Sequence, residues 1–268
     1  MTRAVQALAV AVALAPFGGC GLFSDDNKKD EFAGYNAEKL YKEAKDEMAA
    51  GGWARAVKAL EQLEARYPFG VFAQQAQMDI AYAYWKDSEP EQALAAADRF
   101  IKQHPTSPSV DYAFYLKGLI NFNDNTGFLS SMGGQDLSER DPKSARESFE
   151  AFKELVTRFP DSKYAPDARA RMAYLVNSLA SGEVHVARYY FSRRAYLAAA
   201  NRAQAAIKEY QQAPAIEEAF YILVRSYDAL GMNDLRDDAA RVLKVNFPAS
   251  TILDTGLKAK KEPWWKLW

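Results

Sequence analysis

Cysteine occurs once in the 268 residues and histidine only twice. A single thiol excludes an internal disulfide, so this is not a small secreted domain stapled by bridges. His104 stands directly before Pro105 at a helix end, and His185 has no second ligand at helical spacing, which excludes the usual zinc arrangements. Blocks of like charge are missing too: 34 basic residues are mixed with 35 acidic ones, for a formal net charge of -1. A nucleic-acid binder needs a concentrated positive face, so that class is excluded. The apolar run Ala4 to Ala15 has 12 residues, whereas a bilayer span takes about 20. Phosphate-binding loops are absent, since Met132-Gly133-Gly134-Gln135 lacks the lysine and the flanking strand, and no serine stands in a G-x-S-x-G setting. Carboxylates such as Asp237 and Asp238 alternate with basic residues as on a solvated helix face. The chain reads as a non-enzyme, with no cofactor and no metal.

What is present begins with a leader. Arg3, the short apolar run, the helix-breaking Pro16 and the small pair Gly18-Gly19 read as an export signal over residues 1–19. The one cysteine, Cys20, follows at once, and the stretch resembles the lipobox of bacterial lipoproteins, with Phe17 in place of the usual leucine. Acylation of Cys20 with more than one chain would hold the protein stably on a membrane. Gly21 follows rather than the aspartate that retains enteric lipoproteins at the inner membrane, so the resemblance favours the outer one. Residues 20–35 read as the lipidated cysteine and a flexible tether.

From residue 36 the pattern is helical and repeats, and 49% hydrophobic residues supply a sizeable core. GGWARAVKALEQLEARYP (51–68), SEPEQALAAADRFIKQHP (88–105), RDPKSARESFEAFKELVTRFP (140–160) and RAYLAAANRAQAAIKEYQQAP (194–214) each combine a turn, an alanine-rich amphipathic helix and a closing proline. A weaker fifth copy is GMNDLRDDAARVLKVNFP (231–248). The closing prolines Pro68, Pro105, Pro160, Pro214 and Pro248 are 37, 55, 54 and 34 residues apart, and periods near 34 with paired helices mark tetratricopeptide repeats. In the first copy Ala44 and Ala56 let two helix axes approach, Gly51 makes the turn, and Trp53 and Leu60 fill the space between repeats. The long intervals are assigned to an inserted loop at about 123–140 and to a 29-residue apolar-periodic segment before Arg194, either one helix or two broken near Ser181-Gly182. The expected fold is all-α: a tetratricopeptide-repeat superhelix of about five helix pairs, with amino-terminal repeats over 36–160, carboxy-terminal repeats over 161–248 and a tail over 249–268.

A repeat superhelix offers a concave groove lined by the first helix of each pair. Aligning the amino-terminal repeats puts Tyr41, Met48, Met78, Tyr82, Trp85, Tyr112, Tyr115, Leu119 and Phe122 on that side. Rigid rings and adaptable methionines suit an extended peptide with large apolar side chains. The tail KAKKEPWWKLW, with Trp264, Trp265 and Trp268, interleaves lysine with tryptophan as sequences at a membrane interface or in a partner's pocket do.

Several segments together resemble the BamD family, the tetratricopeptide lipoproteins of the outer-membrane β-barrel assembly machine: RYPFG (66–70), QQAQMDIAYAYWK (74–86), ADRFIKQHPTSPSVDYAFYLKGL (97–119), SERDPKSARESF (138–149) and VARYYFSRRAYLAAANR (186–202). The likeness covers roughly residues 20–248, and the 123–140 loop is its least similar part. The resemblance implies a periplasmic scaffold anchored to the outer membrane. It implies carboxy-terminal repeats that bind a periplasmic POTRA domain of the barrel subunit BamA, amino-terminal repeats that receive the targeting strand of unfolded barrel proteins, and further assembly lipoproteins as partners. Carried over by motif, Arg202 in AANR is the expected BamA contact, through a carboxylate on the partner. Arg66, Tyr67 and Phe69 form a corner motif between the first two repeats. The alternative is another envelope tetratricopeptide lipoprotein, for pilus assembly or for coupling constriction to cell-wall synthesis.

Overall fold

The computed structural model describes residues 31–122 and 142–257. Ten helices longer than one turn are found among these residues, followed by one short helix. They pair as α1 (Ala37–Ala50) with α2 (Trp53–Arg66), α3 (Ala73–Lys86) with α4 (Pro90–Gln103), and α5 (Val110–Asn121) with α6 (Pro142–Arg158). Next come α7 (Ala165–Ser192) with α8 (Tyr196–Glu209), α9 (Ile216–Ala229) with α10 (Asn233–Asn246), and the single-turn α11 (Ile252–Thr255). Each helix packs on its neighbours in the chain, and first helices also touch across repeats, as α9 does α7. That is the tetratricopeptide superhelix, in which every repeat covers the apolar face of the next.

Two kinds of turn recur, and each has a hydrogen-bond signature. Inside the pairs, a left-handed residue ends the first helix, and the following N–H bonds a carbonyl five residues back: Gly52 to Glu47 (2.8 Å), Glu89 to Tyr84 (2.9 Å), Ala195 to Tyr190 (3.0 Å) and Met232 to Tyr227 (2.9 Å). Glycine supplies the left-handed backbone at Gly51 and Gly231, whereas Ser88 and Arg194 adopt it at φ 65 and 62. Between pairs, the chain leaves the second helix at an aromatic residue whose N–H still bonds the helix and whose carbonyl receives the N–H three residues on. The five copies are centred on Tyr67, His104, Phe159, Tyr210 and Phe247. Proline follows four of them at once, yet Tyr210, which lacks it, holds nearly the same backbone (φ -126, ψ 46) as Tyr67 (φ -131, ψ 54), so the hydrogen bonds rather than the proline set the turn. In the fourth copy the equivalent place is Gln211, and Pro214 comes three residues later. The proline spacing therefore misplaced that repeat boundary, while the backbone ladder holds it in register.

The core is divided into three clusters. Leu40, Ala44, Ala56, Leu60, Ile80 and Phe100 belong to the first, which fills the space among α1 to α5. Phe114, Phe152, Leu155 and Leu175 belong to the second, and Ala187, Ala203, Phe220, Ile222 and Leu243 to the third. The segment left open between one helix and two is a single helix, α7, 28 residues and about 42 Å long. Its first half buries Ala168 and Leu175 in the second cluster, and its second half buries Ala180, Val184 and Ala187 in the third. Gly182 is carried through because both flanks are packed, which outweighs the roughly 1 kcal/mol that glycine loses to alanine in a helix.

Two helices approach closely in the third pair. A side-chain carbon on Gly118 of α5 would overlap the ring of Phe152 on α6, and the Ser148 hydroxyl donates to the Gly118 carbonyl oxygen (2.8 Å). Both Phe152 and Ser148 are fully buried. Replacing Gly118→Ala is expected to lower stability by about 1–3 kcal/mol by overpacking. Urea unfolding followed by circular dichroism checks this, and an unchanged midpoint would refute the close packing of α5 on α6.

Candidate functional site

The first helices of four consecutive pairs present one aromatic band. It starts on α1, where Tyr41 stacks on Phe72 at 4.7 Å between ring centres. On α3, Tyr82 meets Trp53 edge-on at 6.1 Å and Trp85 at 5.8 Å. On α5, Tyr115 stacks on Tyr164 at 4.7 Å, Tyr112 tilts against the same ring at 5.4 Å, and Phe122 reaches Tyr174 of α7 at 5.7 Å. Seven of the nine expected groove residues, Tyr41, Tyr82, Trp85, Tyr112, Tyr115, Leu119 and Phe122, are half-buried. Each packs one side on the superhelix and leaves the other open.

The two methionines behave differently. Met78 is 1% exposed and Met48 is buried beside it, so both are core residues that offer no surface to a ligand. The reason is the central place of α3: everything from Ala76 to Ala81 is buried, so the helix is enclosed all round and its periodicity does not separate groove from core. Other residues of the band lie outside the sequence-based set. Phe72 and Tyr164 stand at the residue preceding α3 and α7, and each stacks on a tyrosine of the previous first helix in the same near-parallel way. An aromatic residue immediately before an alanine that opens a helix is the signal they share in sequence.

Two carboxylates anchor the band from below. Asp79, nearly buried on α3, accepts from the Tyr41 hydroxyl (3.1 Å), Lys45 Nζ (3.4 Å) and Gln75 Nε2 (3.1 Å). Asp167 on α7 accepts from the Tyr115 hydroxyl (2.7 Å) and Arg171 Nε (2.6 Å), and these bonds hold its carboxyl below the ordinary carboxylate range against the opposing effect of burial. Arg171 in turn lies over the face of Phe122 at 4.7 Å. The same trio of tyrosine hydroxyl, carboxylate and cation thus ties α1 to α3 and α5 to α7.

Arg202, the expected partner contact, projects from α8 and donates through Nη1 to Glu183 of α7 (2.9 Å). Its side chain is 48% exposed, and the remaining N–H groups of the guanidinium are available for a second carboxylate. The neighbouring first helices are clamped by Arg188 of α7, which grips both oxygens of Glu218 on α9 (2.5 and 2.7 Å). The corner motif divides into parts: Arg66 Nη1 donates to the Phe32 carbonyl (3.0 Å) and Tyr67 packs on the first cluster, while Phe69 is fully exposed. His104 is not a surface group but bonds Gln77 Oε1 through Nε2 (2.9 Å) and lies beside Phe100. Cys20, Trp264, Trp265 and Trp268 lie outside the described residues.

Burial governs the acid-base behaviour of the band. It pushes the Tyr41 hydroxyl up to about 12 from 10.0, with the Asp79 charge and hydrogen bond adding to it. Tyr112 is raised further, first by burial and then by Tyr164, Tyr82 and Asp79. Tyr210 rises to about 12 through burial and its bond to Glu209. The folded state therefore favours the neutral phenols. Their contribution to stability is complete below pH 10 and is lost as pH climbs from 10.0 towards 12. Ultraviolet titration should show a late set of tyrosines ionising together with the loss of helical dichroism. Tyr41→Phe should remove one late group, and a single ionisation step with helices intact would contradict this reading.

Against this geometry, the comparisons with known proteins agree with one another. The YfiO family, described as outer membrane lipoprotein, matches residues 34–242. A protein of Neisseria meningitidis serogroup B named outer membrane protein assembly factor BamD is 50% identical over 234 residues, 87% of this chain and 88% of that one. Proteins of the same name are 37% identical in Xylella fastidiosa, over 95% of this chain and 85% of that one, and 33% identical in Vibrio cholerae, over 90% and 98%. The match spans all five helix pairs, and on that evidence the chain belongs to the BamD (YfiO) family of outer membrane lipoproteins.

Proposed function

We propose that this protein is a non-enzymatic scaffold and substrate receptor of outer-membrane β-barrel assembly, held on the periplasmic face of the outer membrane by acylated Cys20. Its relatives carry the name outer membrane protein assembly factor, which supports the general role. One observation carries the receptor part: half-buried rings, packed in small groups, recur on α1, α3, α5 and α7. Rings packed from behind are already ordered, so an extended segment with alternating apolar side chains and an aromatic end gains contact at low entropic cost. The carboxy-terminal targeting strand of an unfolded barrel protein has that chemistry. BamA, through a periplasmic POTRA domain, is assigned to the carboxy-terminal repeats around Arg202, with other assembly lipoproteins as further partners.

The receptor reading is tested by fluorescence anisotropy with a labelled peptide that alternates apolar and polar residues and ends in phenylalanine. Trp85→Ala should weaken its binding by about tenfold, the effect of losing about 1.4 kcal/mol of contact. Equal binding by Trp85→Ala and Tyr82→Ala would reject the groove. The scaffold contact is tested by purification from native membranes. Arg202→Glu places a carboxylate against Glu183 and should lose BamA, whereas Glu183→Gln leaves the guanidinium available and should retain it. Recovery of BamA with both variants would show that Arg202 is not the contact.

A further inference from the structure

The five turns that follow the second helices, four between pairs and one before α11, share one backbone ladder, so equivalent positions can be compared directly. Two residues after the pivotal aromatic, the later four copies place Thr106, Asp161, Gln212 and Ala249, all exposed and none a large hydrophobe. Four residues after it they place Pro108, Lys163, Pro214 and Thr251. The first copy differs at both positions. It has Phe69, 100% exposed, and Val71, 91% exposed, side by side at the tip of the turn between α2 and α3. Nothing in the fold requires them there, because the same ladder closes in every other copy without a large hydrophobic residue at either place.

The location of this tip identifies what covers it. Arg66, three residues before Phe69, bonds the carbonyl of Phe32, and the Phe32 ring is buried in the first cluster. The point where the tether joins the folded body is therefore within about 20 Å of the apolar tip, the reach of three extended residues plus the Arg66 side chain and its hydrogen bond. From Phe32 back to Cys20 is 12 residues, a span of at most about 40 Å. A chain anchored through Cys20 thus keeps this end of the superhelix close to the lipid headgroups, while the other four turns lie progressively further along the solenoid.

We propose that the turn carrying Phe69 and Val71 is a membrane wedge, inserting both side chains into the leaflet that holds the lipid anchor. The proposal rests on the reading of Cys20 as the acylated residue. An aromatic ring and a branched aliphatic chain are side chains that favour the boundary between headgroups and acyl chains. Insertion at a second point near the tether turns a flexible attachment into an oriented one, since one anchor alone leaves the body free to rotate about it.

The test uses the acylated full-length protein on vesicles of phosphatidylethanolamine and phosphatidylglycerol, with a nitroxide probe at Phe69→Cys and, in a separate sample, at Val245→Cys. Val245 is a comparable apolar residue, 75% exposed on α10 of the last pair, and serves as the distant control. The native Cys20 thiol is blocked by acylation and takes no label. Collision with dissolved oxygen and with a water-soluble nickel chelate is read by electron paramagnetic resonance. The expected result is a Phe69 probe accessible to oxygen and shielded from nickel, beside a Val245 probe open to nickel. A vesicle-bound protein whose Phe69 probe is as open to nickel as the Val245 probe overturns the wedge and leaves the anchor standing. Shielding of the Phe69 probe from both reagents also overturns it, by showing that another protein copy covers the turn. Failure of the acylated chain to bind vesicles at all overturns the anchor reading itself.

Discussion

Helix α7 is the element on which the geometry of the rest depends. Its first half is part of the core built with α5 and α6, and its second half is part of the core built with α8 to α10. Had the chain broken at Gly182, two small solenoids would meet at a hinge, and the angle between peptide groove and partner surface would be free. A continuous helix about 42 Å long fixes that angle. Arg146 of α6, which bonds Glu209 (2.9 Å) and the Tyr210 hydroxyl (3.1 Å) at the end of α8, adds a polar tie in parallel. The aromatic band runs onto α7 at Asp167 and Tyr174, and Glu183, the internal partner of Arg202, lies two to four turns further along the same helix. Groove and proposed partner contact are thus two ends of one rigid rod.

How much of this was legible in sequence follows from where the constraints are local. The helix pairs and their turns were readable because an aromatic followed by proline, which cannot donate to the helix ladder, marks the end of four of the five second helices. The fourth copy shows the limit: Gln211 occupies the proline place, and the turn is preserved by hydrogen bonds that no residue type announces. The groove was readable as a set of rings at helical spacing, but Met78 had the spacing without the exposure, because enclosure of α3 by its neighbours is a tertiary fact. Asp79 and Asp167 were missed for the same reason. A carboxylate on a helix reads as a solvated charge, and only the approach of Tyr41 and Tyr115 from the preceding first helix makes these two structural.

Those carboxylates also bear on what the groove accepts. Asp79 takes three donors and Asp167 two, each including a cation, so these two carboxylates are already satisfied. An apolar strand laid across it leaves no buried charge without a partner, whereas a strongly charged segment would lose hydration with nothing in exchange. Discrimination in such a groove comes from ring faces and shape rather than from ion pairing. Under the proposed receptor reading, such a groove would take many sequences that share an apolar alternation rather than one partner.

Repeat architecture explains how one turn can carry a separate task. In a solenoid each pair is stabilised by its neighbours, and the tips of the connecting turns add little to that packing. The five ladders are held by backbone bonds, so a tip residue can change from threonine or aspartate to phenylalanine without altering the register. A fully exposed phenylalanine beside an exposed valine has no favourable term in the folded monomer and adds to its risk of aggregation. They stand at the turn nearest the tether, where the equivalent places of the other copies hold threonine, aspartate, glutamine, alanine, lysine or proline, and that contrast is the ground of the proposed membrane wedge.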